Sequence, residues 1–466
     1  MDSILSTMGN AETRVETDLL GEVQLPASAL YGAQTARAAR SLAVSDTRLG
    51  QERAYVRALA RLKQACAAAN AELGQITAAQ RDAIVAACEE VADGRWDEHF
   101  IVDLLEGSGG TSTNMNANEV IARRAMQIGG RPVHPNDHVN RSQSTNDIVP
   151  SAMKLAMHEL LQPAIDELEA LAASLARCRD RFAGVLHLGR TCLQDAQPMF
   201  LGQAFGGYAA LLGRQARQLA LAREGLLALP LGGTAIGTGF GSPPGWRAAV
   251  LRRLAQLTGV AWQVPDDAFD AMQNLDAFAR VSAELRHAAT SMARVASDLI
   301  LLSSGPNGGL AEISLPAVQA GSSIMPGKVN PVLPMSLMQI GFAVVGNDAA
   351  VVQAHQAGLL EINHFEPVVA SRLFDSLRLV TRGARQLRVA CVDGIEACVD
   401  RNREHLDASA AIATALIPAL GYDAASRLVK EAQALGRPLA GLLVERGLMS
   451  AAALEAALRN SARPVA

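Results

Sequence analysis

Apolar positions in this chain recur at helical spacing over long stretches. The clearest run is Leu275 to Leu302, where Phe278, Val281, Leu285, Ala288, Met292, Val295, Leu299 and Leu302 follow at alternating intervals of three and four residues. That spacing draws one apolar seam down a single long helix, with Arg280, Glu284, Arg294 and Asp298 off the seam. Ser303-Ser304-Gly305-Pro306 should end it. A second long helix is expected from Ser151 toward Phe182, with Leu161, Ile165, Leu168 and Leu175 on one face and a kink at Pro163. A third should span Pro198 to about Leu229, weakened by Gly206, Gly207 and Gly213, and a fourth roughly Pro334 to Gln356. Helices of this length read as a bundle, able to bury seams against other chains as well as within one.

Strand signals are sparse, and only Val23 to Leu30 suggests a small hairpin or extended segment. Beyond Arg401 the helices shorten, broken at Gly421-Tyr422, Gly436-Arg437-Pro438 and Gly447. The pattern therefore predicts a mainly α protein of three parts. Residues 1–150 form a mixed, mostly helical domain, residues 151–400 a central helix bundle, and residues 401–466 a small helical domain.

Composition supports this picture and removes some functions. A chain of 466 residues is too long for one ordinary core. It is 49% hydrophobic but only 4% aromatic, which suits helices packed through alanine and leucine. Its 42 basic and 46 acidic residues nearly balance, and no long run of one sign occurs. Nucleic acid is therefore not an expected partner, since it demands a concentrated basic face. Cys66, Cys88, Cys178, Cys192, Cys391 and Cys398 form no C-x-x-C pair, so reduced thiols are expected rather than disulfides or zinc. The first twenty residues hold no basic stretch followed by an apolar one, unlike a secretory signal. The uncharged stretch Val329 to Asn347 carries Asn330, Pro331, Pro334, Ser336 and Gln339, which argues against a membrane span. A cytoplasmic protein is expected.

Four polar, glycine-rich segments stand out against this background: Gly107–Glu119, His134–Asp147, Gly189–Asp195 and Gly321–Pro331. Polar clusters at the ends of long apolar helices are where sites tend to be built. Gly321-Ser-Ser-Ile-Met-Pro-Gly-Lys-Val-Asn-Pro331 looks at first like a phosphate loop. It fails, because five residues rather than four separate Gly321 from Gly327, and Val329 follows the lysine where Ser or Thr is required. A mobile catalytic loop fits better: two glycines for freedom, Ser322 and Ser323 for hydroxyls, Lys328 and Asn330 to grip a carboxylate.

This segment resembles the signature loop of the aspartase/fumarase superfamily, in its aspartase and class II fumarase branch. The resemblance runs in order along nearly the whole chain. It begins with Leu20-Gly21, Tyr31-Gly-Ala-Gln-Thr35 and Gly110-Thr-Ser-Thr-Asn-Met-Asn-Ala-Asn-Glu-Val120. It continues through His134-Pro-Asn-Asp-His-Val-Asn-Arg-Ser-Gln-Ser-Thr-Asn-Asp147 and Gly189-Arg-Thr-Cys-Leu-Gln-Asp-Ala196. Leu231-Gly-Gly-Thr-Ala-Ile-Gly-Thr-Gly239 and Glu445-Arg-Gly-Leu448 complete it. The resemblance implies a homotetramer with a 20-helix core, each site being shared between three chains. It implies Ser322 as the base that takes a Cβ proton. Lys328 and Asn330 would hold the α-carboxylate, with Thr191 beside them, and Cys192 would be a further substrate-binding residue. Thr111, Ser144, Thr145 and Ser323 would hold the β-carboxylate, and Asn146 the amino group. Neither a cofactor nor a metal is implied.

The chemistry of those roles is coherent. Removing a proton α to a carboxylate creates a doubly charged aci-carboxylate, which several oriented donors must stabilise. Thr111 and Ser144-Thr145-Asn146 supply neutral donors of that kind, although these residue types also cap helices well. A serine is a weak base at its ordinary pKa, so Ser322 must be activated by N–H groups of its own loop or by Lys328. His134 and His138, beside Pro135 and Asp137, read as turn structure, and Leu231–Gly239 as a tight structural turn.

His138, Thr145 and Gly109 lean toward the aspartase side of the branch, as do Leu302–Pro306 and Gln319-Ala-Gly321. Three positions depart from it: Cys192 where His or Gln is usual, Met335 where Glu is usual, and Asn307 where Arg is expected. Hydroxide is a poor leaving group and needs a proton donor, whereas an ammonium group is already protonated. In fumarases of the branch the residues at the Cys192 and Met335 positions would form a His–Glu pair near the substrate, and its loss here favours deamination of L-aspartate or a related amino-dicarboxylate to fumarate. Hydration of fumarate, release of a substituted amine, and a non-catalytic scaffold stand as the other readings.

Overall fold

The computed structural model describes residues 12–464, so the first eleven residues, where a leader was looked for, lie outside it. The chain opens with an antiparallel hairpin, β1 (Thr13–Asp18) and β2 (Gly21–Pro26). This is the extended segment that the sequence placed from Val23, begun ten residues earlier. Three successive helices follow: α1 (Ala33–Ser41), α2 (Arg53–Glu72) and α3 (Ala78–Ala92). Thr77 and Gln80 cap α3 reciprocally, each side chain taking the other's backbone N–H. Helix α4 (Thr111–Gly129) starts and ends on the left-handed glycines Gly110 and Gly130.

Helix α5 (Thr145–Arg181) begins six residues before the expected start and carries both Pro150 and Pro163 inside it. A second hairpin, β3 (Leu186–Thr191) with β4 (Gln194–Phe200), precedes α6 (Leu201–Glu224). Pro198 thus lies in a strand rather than opening the third helix. Gly202 follows, where any Cβ would collide with the carbonyl of Arg179. After α7 (Trp246–Thr258) and α8 (Ala268–Gln273), α9 (Asp276–Leu302) matches the predicted seam to within one residue. Its Phe278, Val281, Leu285, Ala288, Met292, Val295 and Leu299 are all buried.

Helices α10 (Val332–Gln356) and α11 (Glu366–Ala390) complete the long set. A two-stranded pairing of β5 (Ile313–Ser314) with β6 (Glu396–Ala397) spans the turn into α12 (Val399–Ala408). Four short helices end the chain: α13 (Ala413–Leu420), α14 (Tyr422–Leu435), α15 (Leu439–Glu445) and α16 (Ala451–Ser461). Their breaks fall at Gly421, at Gly436-Arg437-Pro438 and around Gly447, as the sequence predicts. The protein is mainly α.

Contacts divide the chain into two compact units. Among the described residues, the first comprises those up to Pro163, Gln218–Arg286 and Val344–Arg378; the second comprises Ala164–Arg217, His287–Ala343 and those from Leu379. In the first unit α2 packs on α3 and α7, and α3 on α4. The tilted rings of Tyr55 and Phe374 meet at 5.3 Å, and the Trp246 indole N–H donates to Asn70 Oδ1 at 2.8 Å. Leu285, with 0% exposure, belongs to this core. Leu285→Ala should cost about 2–5 kcal/mol by leaving a cavity, read as a lower midpoint in urea unfolding. In the second unit Leu186 and Leu188 of β3 join Leu406, Ile412, Leu416 and Leu443 in one apolar cluster, so the hairpin rests on the C-terminal helices.

Helix α10 is long and apolar enough to cross a membrane by length and composition, and 33% of its most apolar window is buried within the chain. Met335, Phe342, Val345 and Val352 stand exposed along it. An apolar surface of this extent on one helix is the kind that pairs with another surface.

Candidate active site

Four of the ten sequence-selected residues belong to the first unit, and all four sit at helix N-termini. Thr111 is the first residue of α4 and is exposed, while the residues after it are buried. Gly110 makes this start possible: its φ is 87°, and a Cβ there would strike Val149 at 2.9 Å. Ser144, Thr145 and Asn146 open α5 and are half-buried. Ser144 also caps: its Oγ accepts from the Asn146 N–H at 3.3 Å, and its own N–H donates to Asp147 Oδ1 at 3.0 Å. Two helix N-termini bearing hydroxyls and an amide present a positive dipole end to an anion.

These residues are held from below. Asp147 is fully buried, and its Oδ2 accepts from the N–H groups of Gly232 at 2.9 Å and Thr234 at 3.1 Å. Burial pushes its carboxyl up to about 6 against the pull of three N–H donors. The segment Leu231–Gly239 is thus the tight turn expected, wrapped on a carboxylate. Asn146 Nδ2 donates to Ala235 O of that turn at 2.8 Å. His134 and His138 are turn residues too. His134 Nδ1 accepts from the Asp137 N–H at 3.1 Å, and His138 Nδ1 from the His134 N–H at 2.8 Å.

Sequence reasoning missed Lys63. Its side chain is fully buried in α2, and Nζ donates to Asn114 Oδ1 at 2.7 Å, Asn140 Oδ1 at 2.9 Å and Gln143 Oε1 at 2.9 Å. Asn114 in turn donates through Nδ2 to Thr145 Oγ1 at 3.2 Å. A buried cation therefore sits one amide away from Thr145. Desolvation lowers the Lys63 ammonium to about 8. The only hint in the sequence was a lysine at seam spacing between Leu59 and Cys66. The motif Tyr31–Thr35 also finds a structural use: Glu119 takes the N–H groups of Gly32, Gln34 and Thr35 at 2.8, 3.1 and 3.2 Å, closing the N-terminus of α1.

The other six selected residues belong to the second unit. Thr191 and Cys192 lie at the tip of the β3–β4 hairpin, both exposed. Ser322, Ser323, Lys328 and Asn330 lie on the loop between β5 and α10. Its neck is closed by Gly321 N–H to Lys328 O at 2.8 Å and by Asn330 Nδ2 to Gly321 O at 2.7 Å. Gly321 is required for that closure, since a Cβ would meet Lys328 O at 2.7 Å and Asn330 N at 2.8 Å. Gly327 supplies a left-handed φ of 81°. Within the loop, Ser322 Oγ accepts from the N–H groups of Ile324 at 3.2 Å and Met325 at 3.0 Å. Two N–H donors aimed at one hydroxyl oxygen stabilise its alkoxide, the activation that a serine base needs. Ser323 and Lys328 are exposed, and Asn330 is tied into the neck.

No group of three or more His, Cys, Asp or Glu side chains with metal-binding geometry occurs among the described residues. Cys66, Cys88, Cys178 and Cys391 are buried free thiols, Cys398 is partly buried and Cys192 is exposed.

Comparison with known proteins bears on this arrangement. The lyase family model matches residues 21–346, and the model of the fumarase C C-terminus matches residues 412–462. Aspartate ammonia-lyase of Helicobacter pylori strain J99 is 41% identical over 443 residues, covering 94% of this chain and 95% of that protein. The aspartate ammonia-lyase of Pseudomonas fluorescens is 43% identical over 468 residues, covering 98% and 97%. Among solved structures, a fumarate lyase:delta crystallin from Brucella melitensis bound to cobalt superposes with a TM-score of 0.94 at 42% identity, covering 97% of this chain and all of that one. Recombinant class II fumarase from Schistosoma mansoni gives 0.91 at 34% identity, covering 98% of this chain.

Proposed function

We propose that this chain, which belongs to the lyase family that includes aspartate ammonia-lyases and class II fumarases, is a carbon–nitrogen lyase converting L-aspartate to fumarate and ammonia. The observation that carries the chemistry is Ser322 Oγ beneath two backbone N–H groups of its own loop. Ser322, as alkoxide, takes the Cβ proton. The electron pair moves into the β-carboxylate, making an aci-carboxylate. It then returns to form the double bond as the Cα–N bond breaks and ammonia leaves. The proton on Ser322 passes to solvent, and ammonia takes one up.

Thr111, Ser144, Thr145 and Ser323 are assigned to the β-carboxylate, where charge develops. Lys328, Asn330, Thr191 and Cys192 are assigned to the α-carboxylate side, and Asn146 to the amino group. Donors aimed at developing charge matter most, each being worth about 10²–10³ in rate. The assembly is read as a cytoplasmic homotetramer whose sites each combine segments of three chains. The exposed apolar residues of α10 support this by needing a partner surface. Sedimentation equilibrium should give four chains per particle.

The activity test is direct. Purified protein with L-aspartate should raise the ultraviolet absorbance of fumarate. Fumarate with ammonia should yield aspartate by mass spectrometry. Malate in place of aspartate would overturn the assignment. Cys192 and Met335, both exposed, put neither an imidazole nor a carboxylate at those positions. They support a second reading, in which a substituted amine leaves, and a panel of amines in the same assay separates the two.

A further inference from the structure

The β3–β4 hairpin turns through Cys192 and Leu193 alone, because Thr191 pairs directly with Gln194. Both turn residues have left-handed backbones, φ 52° and 61°. Two-residue turns with this conformation suit Asn and Gly; a leucine there is strained. Strain of that kind persists only where the surroundings over-determine the backbone.

The rung beneath the turn and its Thr191–Gln194 pair is Arg190 with Asp195, and both of its members are held from outside the hairpin. Asp195 Oδ2 accepts from Ser409 Oγ at 2.6 Å. The Arg190 guanidinium grips Glu312 in two places, Nη1 to Oε2 at 2.9 Å and Nη2 to Oε1 at 2.6 Å. The strand register shifts between Gly189 and Arg190, a bulge that re-aims the tip.

Glu312 is built into the core. Its side chain has 0% exposure. Its Oε1 also meets His405 Nδ1 at 2.6 Å, and Oε2 lies 3.7 Å from His187 Nδ1, which is 2.8 Å from Asn402 Oδ1. Its backbone is fixed as well: N–H to Leu302 O at 2.8 Å, and C=O accepting from Cys398 N at 3.0 Å and Asn402 Nδ2 at 2.7 Å. The carboxylate is thus anchored to the end of α9 and the start of α12 while it carries Arg190. Arginine and its bonded cluster hold the Glu312 carboxyl below the usual range despite burial. The next residue begins β5, and the same segment runs on to Ser322.

We propose that Glu312 is a positioning residue: acting through Arg190, it fixes the rung below the strained Cys192–Leu193 turn and so presets Thr191 for the substrate carboxylate. The inference rests on the reading of Thr191 as a substrate-binding group. Paired, two-pronged charged hydrogen bonds provide the geometric control such a role needs.

Glu312→Gln keeps the size and the backbone contacts but loses the charge. Amide hydrogen exchange at residues 191–194 should then quicken by about tenfold, and the KM for aspartate should rise by about tenfold with kcat little changed, the scale of one lost charged contact. Leu193→Asn should leave the wild-type KM in place, since Asn tolerates the left-handed turn. Combined with Glu312→Gln, it should bring KM back toward wild type, a non-additivity that loss of packing would not produce. If Glu312→Gln does not fold, Arg190→Lys removes the two-pronged contact with the charge kept, and the same measurements apply. Unchanged exchange at the turn overturns the proposal. So does faster exchange throughout the second unit with KM unaltered. Exchange is read without substrate, so a wild-type protein inactive on aspartate would sink the functional reading and leave the clamp to be judged on exchange alone.

Discussion

Ser322→Ala should lower kcat for aspartate deamination by about 10³–10⁴-fold, the upper range for loss of a general base, with KM and thermal midpoint close to wild type. The structure gives reasons for both halves. Ser322 Oγ is the acceptor for two loop N–H groups on a half-buried loop residue, so its loss removes the reactive oxygen without breaching a core. The orphaned N–H groups of Ile324 and Met325 belong to exposed residues and pass to water. The neck bonds of the loop, Gly321 to Lys328 and Asn330 to Gly321, do not involve the hydroxyl and should persist. Fumarate release followed by absorbance gives kcat, and calorimetry gives the midpoint. A variant retaining more than a tenth of wild-type kcat would remove Ser322 from the role of base. Ser323→Ala is the internal control, since that hydroxyl is assigned to binding and should act mainly on KM.

Long helices were legible because their information is local and repeated. The seam from Phe278 to Leu302 predicts α9, and the structure places α9 from Asp276 to Leu302. Gly421, Gly436 and Gly447 mark the C-terminal breaks for the same reason. The β3–β4 hairpin was not legible. Leu186 to Gly189 is buried at every position, so no alternation marks a strand, and Cys192-Leu193 carries none of the Asn-Gly chemistry that announces a two-residue turn. Pro198 then looked like a helix start when it is a strand residue. In the candidate site, the loop at Gly321 could be read because its glycines, serines, lysine and asparagine lie within eleven residues. Arg190 and Glu312 could not be joined, since 122 positions separate them and neither is unusual by itself.

Lys63 is the other residue that only the fold could reveal, its partners Asn114, Asn140 and Gln143 being 51, 77 and 80 positions away. Lys63→Met should lower kcat/KM by about 10²-fold, the lower end for losing a preorganised donor, since the cation acts through Asn114 on Thr145. It should also destabilise the fold by roughly 2–5 kcal/mol, because the buried Asn114 and the half-buried Asn140 and Gln143 lose their donor, which outweighs the relief of burying no charge. The pH dependence separates Lys63 from other groups. Its folded pKa, about 8, is below the ordinary lysine value of 10.5. Between those values the unfolded chain binds more protons, so this group's contribution makes stability rise with pH through that window. Below pH 8 the ammonium is charged in both states and the cost of burying it is present in full. Activity should move the other way: as Lys63 loses its proton above about pH 8, the cation beneath Asn114 and Thr145 disappears and kcat/KM falls. Wild-type protein should therefore show an alkaline limb in kcat/KM over a pH range where this site adds to stability. Lys63→Met should flatten that limb and leave the remaining rate nearly constant on either side of about pH 8, where Lys63 titrates. A limb of unchanged shape in the variant would assign it to another group and reduce Lys63 to packing.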